Sequence, residues 1–358
     1  MKNKLLIINR TQFGYHIDTY YYCKYASDDF YITYIGFDSG ESKIRCDNID
    51  CIYIERKGNI LIRYFRLFFA LLLECRKKYD FIFINYFIAC SLLKLTNKKA
   101  KIILDIRTGS VNKNNLKRRL KNFILKIESL FFNYISVISE SLSDKLKLQA
   151  NKVHILPLGA EIIEVPPRKM DSLKLLYVGT FDGRRIEDTI VGFTKFYKEF
   201  KNSIEITYDI VGEGRNNELA LFKRLVKQNG LSEVVQLPGY IHQSKLKAYY
   251  QKCNVGISYV PINDIYDAQP PTKTFEYLLA GMPVIATATR ENAIVINDNN
   301  GVLIPDSAYD FYEGLKVIML RKHLYDSNLV KQESLKYSWQ KIVRKDFIPY
   351  LRKLSENC

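Results

Sequence analysis

A single carboxylate, Glu276, lies in the apolar segment PPTKTFEYLLAGMPVIA at residues 270–286. Pro271 suits the first turn of a helix, where its missing N–H costs nothing, and Gly281 suits the left-handed position after the last turn. Glu276 then falls about one turn into a short helix. It either forms an exposed ion pair with Lys273 or accepts hydrogen bonds from two neighbouring hydroxyl groups of a ligand. This segment alone leaves both interpretations open.

A second candidate site has basic side chains at the start of a predicted helix. In LKLLYVGTFDGRRIED, Gly179 follows a predicted strand, and Arg184 and Arg185 come just before a helix that begins near Ile186. A helix N-terminus combined with guanidinium groups can bind a diphosphate. The alternative is a surface turn with solvated arginines, which this loop taken alone favours.

Two more glycine-containing loops follow predicted strands. The first glycine of GEGR is Gly212, and in LPGYIH Gly239 comes directly before Tyr240 and Ile241. A bare backbone can approach a flat ring closely. Each of these signals is weak by itself.

The elements that position these loops alternate between strands and helices, which is typical of doubly wound α/β domains. The predicted strands of the first half are Leu5 to Asn9, Tyr31 to Ile35, Cys51 to Glu55, Phe81 to Asn85, Ile102 to Ile106, Ile135 to Ile138 and Val153 to Leu156. Those of the second half are Leu173 to Val178, Ile204 to Val211, Val234 to Leu237, Val255 to Val260 and Val284 to Thr287. Ligands of such sheets bind beyond the carboxyl ends of the strands, where all four loops lie.

Two prolines and a lack of periodicity mark residues 161–170, EIIEVPPRKM, as a linker. We therefore expect an N-terminal domain at residues 1–165 and a second domain at residues 166–336. A helical segment at residues 337–358 is expected to cross back to the first domain. The leucine- and phenylalanine-rich stretch Ile60 to Lys78 is predicted to be a buried crossover helix, with a helix lying on a membrane as the alternative.

The chain of 358 residues has a net charge of +16 and a pI near 9.3, which predicts attraction to an anion. The excess is local, because eleven Lys or Arg residues lie between Lys94 and Lys126 against Asp105 alone. Either this stretch is a solvated helix face, or it binds anionic lipid headgroups. Nucleic acid ranks last, because no nucleic-acid-binding motif is present.

Seven scattered cysteines indicate reduced thiols, and four separated histidines argue against zinc. The longest apolar run, Leu67 to Leu73, is far shorter than the ~20 residues of a membrane span. The N-terminal stretch lacks a signal-peptide core and cleavage site. We therefore expect a cytoplasmic protein.

Taken together and in this order, the four loops resemble the donor half of family 4 (group 1) glycosyltransferases of the GT-B fold, of the type that builds bacterial cell-surface polysaccharides. Further matching stretches are ISVISESLSDKL, VHILPLGAE, DNNGVLIP and YSW. The resemblance is strong from Ile135 to Trp339 and looser before that. It implies two Rossmann-like domains facing across a cleft, with the acceptor bound by the first and a nucleotide sugar by the second.

The resemblance also implies roles for individual residues. Glu276 resembles the ribose-binding glutamate of the family, and Arg184 or Arg185 resembles the residue that binds the donor diphosphate, with Arg184 favoured by the helix register. The remaining donor-site candidates are Gly179, Gly212, the base-contacting stretch Gly239, Tyr240 and Ile241, and Lys273 with Thr274 beside the phosphates or donor sugar.

Two positions depart from the family pattern. Many relatives have an acidic residue eight positions before the helix glutamate, where this chain has Ala268. A proline-lysine subgroup of the family resembles the chain more closely at this point, so the departure is compatible with the activity. The feature it affects is the contact with the donor sugar. Many relatives also have arginine where Thr180 follows the strand glycine.

Candidates in the acceptor half follow its predicted strands. Gly14 and His16 lie in the loop after the first strand, and Asp105 and Arg107 lie in LDIRTGS. Asp105 is predicted to face the cleft and to accept a proton or orient an acceptor hydroxyl, with Arg107 and His16 as further catalytic candidates. For His16 the alternative is an ordinary loop histidine.

The predicted reaction is transfer of a hexosyl or N-acetylhexosaminyl group, with retention of configuration, from a UDP- or GDP-linked sugar. The expected acceptor is a lipid-linked glycan of lipopolysaccharide or capsule synthesis at the inner face of the cell membrane, bound through Lys94 to Lys126. No bound cofactor and no metal are expected. The alternatives are a nucleotide-sugar epimerase on the same fold and a non-catalytic binding scaffold, for which Ala268 is the best argument.

Overall fold

The computed structural model describes residues 2–356, so Met1, Asn357 and the thiol expected at Cys358 lie outside the described residues. Contacts within the chain separate two units: one contains the residues up to Leu158 and those from Trp339, and the other contains Gly159–Ser338. The sequence had placed these boundaries at residues 165/166 and 336/337. Each unit has its own parallel sheet flanked by helices, which confirms the predicted α/β fold class.

The first unit is built on a seven-stranded parallel sheet in the order β3-β2-β1-β4-β5-β6-β7. Its strands are β1 (Asn3–Ile8), β2 (Phe30–Asp38), β3 (Ile49–Glu55), β4 (Phe81–Asn85), β5 (Lys101–Ile106), β6 (Tyr134–Val137) and β7 (Val153–Ile155). Its helices within the N-terminal part are α1 (Ile17–Ala26), α2 (Ile60–Cys75), α3 (Asn115–Leu130) and α4 (Glu140–Leu146), with 3-10 turns at Cys90–Leu95 and Ala150–Lys152.

Helices cover this sheet on both faces, which explains why its central strands are apolar runs rather than alternating patterns. The chain moves along the sheet in one direction from β1 to β3 and in the opposite direction from β4 to β7. Because crossovers between parallel strands are right-handed, α1 covers one face, and α2, the Cys90–Leu95 turn and α3 cover the other.

Helix α2 departs from the sequence prediction. It is a crossover between β3 and β4, as predicted, but the prediction that it is buried is wrong for one of its sides. Leu67 and Leu71 are buried against the unit, whereas Leu61 and Phe65 are 77% and 72% exposed. The leucine- and phenylalanine-rich composition supplies two apolar sides, of which the sheet covers one.

The second unit is built on a six-stranded parallel sheet in the order β10-β9-β8-β11-β12-β13. Its strands are β8 (Leu173–Val178), β9 (Ile206–Val211), β10 (Val235–Gly239), β11 (Val255–Ser258), β12 (Val284–Thr287) and β13 (Gly301–Ile304). Its helices are α5 (Ile186–Phe200), α6 (Glu218–Gln228), α7 (Lys247–Lys252), α8 (Thr272–Leu279), α9 (Arg290–Val295), α10 (Ala308–Leu320) and α11 (Ser327–Ser334), with 3-10 turns at Gln243–Lys245, Lys322–Leu324 and Leu335–Tyr337.

The strand order reverses between β8 and β11, which lie side by side in this sheet. The loop after β8 contains Arg184 and Arg185, and the loop after β11 leads into α8 with Glu276. Reversal points of this kind open a crevice at the carboxyl edge of a sheet, where ligands bind. The topology therefore brings the two most chemically suggestive loops to one place.

The C-terminal segment packs within the first unit. It consists of α12 (Trp339–Ile342), a π-helical turn (Val343–Phe347) and α13 (Ile348–Glu356). Trp339 is fully buried and stacks on Tyr21 of α1, while Phe347 stacks on Tyr22 at 4.8 Å between ring centroids. His154 of β7 stacks on Tyr350 at 3.9 Å. Aromatic stacking thus holds this segment against α1 and β7.

Strand positions follow the sequence predictions closely, and three of them (Phe81–Asn85, Leu173–Val178 and Val284–Thr287) match at both ends. The prediction missed β13 and the helices α9 to α11. Residues 161–169 form no helix or strand, but contacts within the chain place the predicted linker inside the second unit.

Candidate functional site

Helix α8 holds Glu276 at the carboxyl edge of the second sheet. Pro271, with extended backbone angles, precedes its first residue, and Gly281 after its end has a φ of +72°. A Cβ atom at Gly281 would come within 2.4 Å of the Ser327 carbonyl oxygen, so this position needs glycine for space as well as for backbone angle. These two residues fix the length of α8 and the turn of the helix on which Glu276 lies.

Two donors converge on one oxygen of Glu276. Oε2 accepts hydrogen bonds from Lys273 Nζ at 2.6 Å and from the hydroxyl of Tyr250 at 2.5 Å. The ion pair with Lys273 considered from sequence is therefore present, and Tyr250 is an additional partner. Among the described residues Oε1 has no hydrogen-bond partner, and the side chain is 15% exposed. The carboxylate is thus oriented through Oε2, and Oε1 is available to a ligand.

Tyr250 of α7 is itself firmly held. Its ring is buried, and burial, followed by the nearby carboxylate of Glu276, raises its pKa well above the usual value for tyrosine. The hydroxyl therefore stays protonated and acts as a donor. The guanidinium of Arg168 donates to the Tyr250 and Ala280 carbonyl oxygens, which ties the ends of α7 and α8 together. Burial lowers the pKa of Arg168 to about 10.

Arg184 and Arg185 differ sharply in their surroundings. Arg185 occupies a left-handed conformation at the start of α5 and pairs with Asp188 at 2.7 Å and Asp306 at 3.4 Å. Arg184 instead lies over the ring of Tyr266, with 4.2 Å between its guanidinium carbon and the ring centroid. Within residues 2–356 Arg184 forms no ion pair. Its N–H groups are therefore available for a phosphate, whereas those of Arg185 already have carboxylate partners.

The glycines at the ends of three adjacent strands form a bare backbone surface. The Gly179 amide donates to the Val211 carbonyl at 3.0 Å, and the Gly212 amide donates to the Gly239 carbonyl at 2.9 Å. A Cβ atom at Gly212 would lie 1.8 Å from the Gly179 carbonyl oxygen, which no side chain permits. Gly212 is therefore required for the backbones of these loops to approach each other.

The other predicted donor residues have distinct environments. Tyr240 is 62% exposed, and Ile241 beside it is half-buried. Thr274 is buried, and its hydroxyl bonds to Ser258 Oγ at 2.7 Å and to Asn292 Oδ1 at 2.8 Å. The Thr274 side chain therefore supports α8 from within.

Ala268 occupies the position where many relatives have an acidic residue, and the neighbouring Asp267 does not replace that acid. Ala268 is buried, and Asp267 accepts the Arg290 amide at 3.0 Å and pairs with its guanidinium at 3.0 Å. Asp267 is thus engaged at the start of α9.

In the first unit, the candidates form an internally bonded cluster at the carboxyl ends of β1 and β5. Arg107 donates to Asp18 at 2.5 Å and to the Leu156 carbonyl at 2.6 Å, and its side chain is buried. It joins the start of α1 to the end of β7. These bonds occupy its guanidinium, and the catalytic role expected from the sequence stays a prediction.

Asp105 is fully buried, which differs from the expectation that it faces an open cleft. Its carboxylate accepts from Ser136 Oγ at 3.0 Å and from Asn85 Nδ2 at 3.3 Å. Burial raises the pKa of Asp105 to about 6, and Arg107 opposes this shift. Asp105 is one residue before the end of β5, and its side chain points into the unit instead of toward the open edge of the sheet.

His16 and Gly14 shape the loop after β1. His16 caps α1, with its Nδ1 accepting from the Thr19 amide at 3.4 Å, and burial lowers its pKa. With Nδ1 as acceptor, the neutral ring carries its proton on Nε2. Gly14 has a φ of +91°, and a Cβ atom there would meet the Ile44 side chain at 2.3 Å. His16 is half-buried, so it is the most accessible of the three catalytic candidates.

Sequence reasoning missed Tyr250, Tyr266 and Asp18. Each meets its partner through tertiary packing, and none has a spacing along the chain that signals the contact. In the described part of the chain, no group of three or more His, Cys, Asp or Glu side chains is arranged to hold a metal ion. No helix of residues 2–356 has the length and apolar character to cross a bilayer.

Comparison with known proteins identifies the class. Residues 172–319 match the family model described as glycosyl transferases group 1. No curated protein matches the chain. This match lies within the second unit.

Solved structures match the whole chain. A sucrose-phosphate synthase from Thermosynechococcus elongatus has a TM-score of 0.75 at 16% identity, with 100% of both chains covered. Anabaena HepE, solved in complex with UDP, has a TM-score of 0.72 at 11% identity, covering 99% of this chain and 100% of its own. The lipopolysaccharide outer core galactosyltransferase WaaB has a TM-score of 0.72 at 14% identity, covering 98% and 100%. At these identities the likeness establishes the GT-B fold, and with the family match it indicates a glycosyltransferase.

Proposed function

We propose that the protein transfers a hexosyl or N-acetylhexosaminyl group, with retention of configuration, from a UDP- or GDP-linked sugar to a lipid-linked glycan in the synthesis of a cell-surface polysaccharide such as lipopolysaccharide or capsule. The observation that carries the proposal is the state of Glu276. Its carboxylate is oriented by two donors on Oε2 and keeps Oε1 open at the carboxyl edge of the sheet. A carboxylate of this kind suits the vicinal hydroxyls of a ribose.

The diphosphate would bind beside this carboxylate, on the loop after β8. Arg184 supplies a guanidinium that has no carboxylate partner in the described part of the chain and lies against Tyr266. Lys273 adds an ammonium group one turn before Glu276. Fixed positive groups at this place stabilise the diphosphate as negative charge develops on it when the sugar leaves. The exposed Tyr240 and the backbone of Gly239 and Ile241 would meet the base.

On the acceptor side, His16 is the candidate that can reach a sugar. Its lowered pKa keeps the ring neutral at physiological pH, so Nε2–H can donate to a sugar hydroxyl. Asp105 and Arg107 hold the segments around it in place. The proposal needs no metal ion, and the Anabaena structures solved with UDP and with UDP-glucose are consistent with a nucleotide-sugar donor.

The proposed cellular location is the cytoplasmic face of the membrane, because a lipid-linked acceptor is fixed there. The basic stretch Lys94 to Lys126 would attract anionic headgroups. This location brings the acceptor-binding unit to its substrate.

Product analysis tests the reaction class. A transferase releases nucleoside diphosphate from the donor in proportion to added acceptor, whereas an epimerase converts the donor with no acceptor present. Conversion that is independent of acceptor would contradict the proposal.

One observation keeps a second candidate, a non-catalytic binding scaffold, in contention. Ala268 lacks the carboxylate common in relatives, and Asp267 is paired with Arg290. A scaffold would bind nucleoside diphosphate without ever transferring the sugar, so product analysis with extracted lipid-linked acceptors separates it from the enzyme.

A further inference from the structure

The first unit has a broad apolar surface that none of its described residues covers. Helix α3 shows it most clearly: its buried side is formed by Leu125, Glu128 and Ser129. At 100° per residue, the opposite side carries large apolar residues that are all exposed. These residues are Leu116, Leu120, Phe123, Ile127 and Leu130, of which Leu116 is 78% exposed.

Helix α2 repeats the arrangement. Its buried side contains Leu67 and Leu71, and the opposite side exposes a stripe with a spacing of four residues. This stripe consists of Leu61, Phe65, Phe69 and Leu73, together with Ile62. The rings of Phe65 and Phe69 stack on each other in the open.

These two stripes belong to one face of the sheet, because right-handed crossovers place α2 and α3 on the same side. The Cys90–Leu95 turn joins them. Asn97 after this turn donates to the Cys75 carbonyl at the end of α2, at 2.9 Å. The Ala89 amide before the turn donates to Glu128 of α3. The turn adds the exposed Leu92 and Leu95. Its hydrogen bonds to α2 and α3 hold the apolar side chains of all three segments next to one another.

Cations border this surface and outnumber the acidic groups beside it. Lys117, Arg119 and Lys121 of α3 are exposed and form no ion pair in the described part of the chain. The only acidic residue of α3, Glu128, faces inward. Residues 56–78 around α2 contain seven Lys or Arg and one acid, the buried Glu74. Lys57 and Arg66 pair with Glu55 and Lys77 pairs with Glu74, whereas the other four cations form no ion pair among the described residues. An apolar stripe with basic flanks matches the interface of a bilayer that contains anionic lipid.

A second copy of the chain fits this surface less well. Joining two such faces would place both sets of cations close together in an apolar contact, which charge repulsion opposes. The same argument makes an anionic surface with an apolar interior the best complement.

We propose that α2, α3 and the Cys90–Leu95 turn form a surface that inserts its apolar side chains into the headgroup region of an anionic membrane. This goes beyond attraction by the Lys94 to Lys126 stretch, because α2 lies outside that stretch and the apolar side chains provide the anchoring. Insertion of this surface would bring the first unit to a lipid-linked acceptor, and this link to the acceptor rests on the proposed function.

Vesicle flotation of the full chain tests the proposal without donor or acceptor. The probe is vesicles of phosphatidylcholine with phosphatidylglycerol, compared with phosphatidylcholine alone. The variants Phe65→Ser with Phe69→Ser, and Leu120→Ser with Phe123→Ser, are each expected to lower binding at least tenfold. The matched control, Ile294→Ser with Leu320→Ser, removes equally exposed apolar residues of the second unit and should bind as the unaltered chain does.

Depth measurement separates insertion from adsorption. A tryptophan introduced by Phe65→Trp or Phe123→Trp should be quenched by lipids brominated on their acyl chains, whereas the buried Trp339 provides a constant background. Equal melting temperatures show that the exposed substitutions leave the fold intact.

Three results would overturn the proposal. In the first, the apolar variants bind vesicles as well as the unaltered chain does, and only the double variant Lys117→Gln with Lys121→Gln loses binding. This result would show adsorption by charge without insertion. The chain could fail to bind anionic vesicles. It could instead form a dimer that the apolar variants dissociate. Nucleotide affinity, measured on the same variants, should be unchanged, so that failure here is distinguishable from failure of the proposed transferase function.

Discussion

The two units place similar side chains at the carboxyl ends of similar sheets but leave them in different states. In the second unit, counting partners among residues 2–356, Glu276 retains an open oxygen and Arg184 has no carboxylate partner. In the first unit, Arg107 and Asp105 are buried and bonded to their own chain. A residue type at a strand end therefore indicates where a site lies, and unused hydrogen-bonding capacity indicates which residues act on a ligand.

The neighbouring residues Arg184 and Arg185 test whether an unpaired side chain is the one that binds the ligand, and they give the largest expected effect. Arg184→Ala should weaken binding of a nucleoside diphosphate about thirtyfold, because a charge-assisted bond to phosphate contributes about 2 kcal/mol. Arg185→Ala should have a much smaller effect, since Asp188 and Asp306 already hold its side chain. Calorimetry with UDP and GDP, and with the corresponding nucleosides, measures both. Equal losses of nucleotide affinity in the two variants would show that carboxylate pairing does not determine which arginine binds the diphosphate.

The pH dependence of stability tests whether Asp105 is a buried structural residue of the first unit. Its pKa of about 6 in the folded chain lies above its usual value of 3.8, so the protonated carboxyl is favoured by folding. This contribution to stability is present at low pH and is lost as pH rises through 6.

Asp105→Asn removes that dependence. Relative to the unaltered chain, the variant should gain about 1–3 kcal/mol of unfolding free energy between pH 4 and pH 7.5, since each pKa unit corresponds to ~1.4 kcal/mol. Urea unfolding at a series of pH values gives the difference. Parallel curves for the two proteins would contradict the raised pKa.

Tyr250 should show a smaller effect that acts through Glu276. Tyr250→Phe removes one of the two donors on Oε2 and should lower nucleotide affinity about fivefold, equivalent to about 1 kcal/mol. Tyr312→Phe is the matched control, because the Tyr312 hydroxyl donates to Glu199 Oε2 at 2.6 Å elsewhere in the same unit. Unchanged affinity in Tyr250→Phe would mean that Lys273 alone orients the carboxylate.

The sequence predicted the strands and their loops well because apolar runs and glycines act locally. Gly281 has the positive φ expected after the last turn of a helix. The sequence could not predict which charges are already paired. Arg107 meets Asp18 across 89 positions and Tyr250 meets Glu276 across 26, and no periodicity connects such residues.

The apolar outer side of α2 shows a second limit. A run of leucine and phenylalanine favours burial, but composition does not reveal whether the chain supplies a second layer to cover it. Only the arrangement of β3, α2 and β4 shows that one side of this helix remains open.

We propose that Glu276 is a ligand-binding carboxylate, and calorimetry on two matched variants tests this role. Glu313 in α10 forms the same type of ion pair, to Lys316 three residues along the same helix. We predict that UDP or GDP binds the unaltered chain and Glu313→Ala equally, and binds Glu276→Ala at least about thirtyfold more weakly, a loss of about 2 kcal/mol. Equal nucleotide affinity in the two variants, or no binding of either nucleotide to the unaltered chain, would contradict the account.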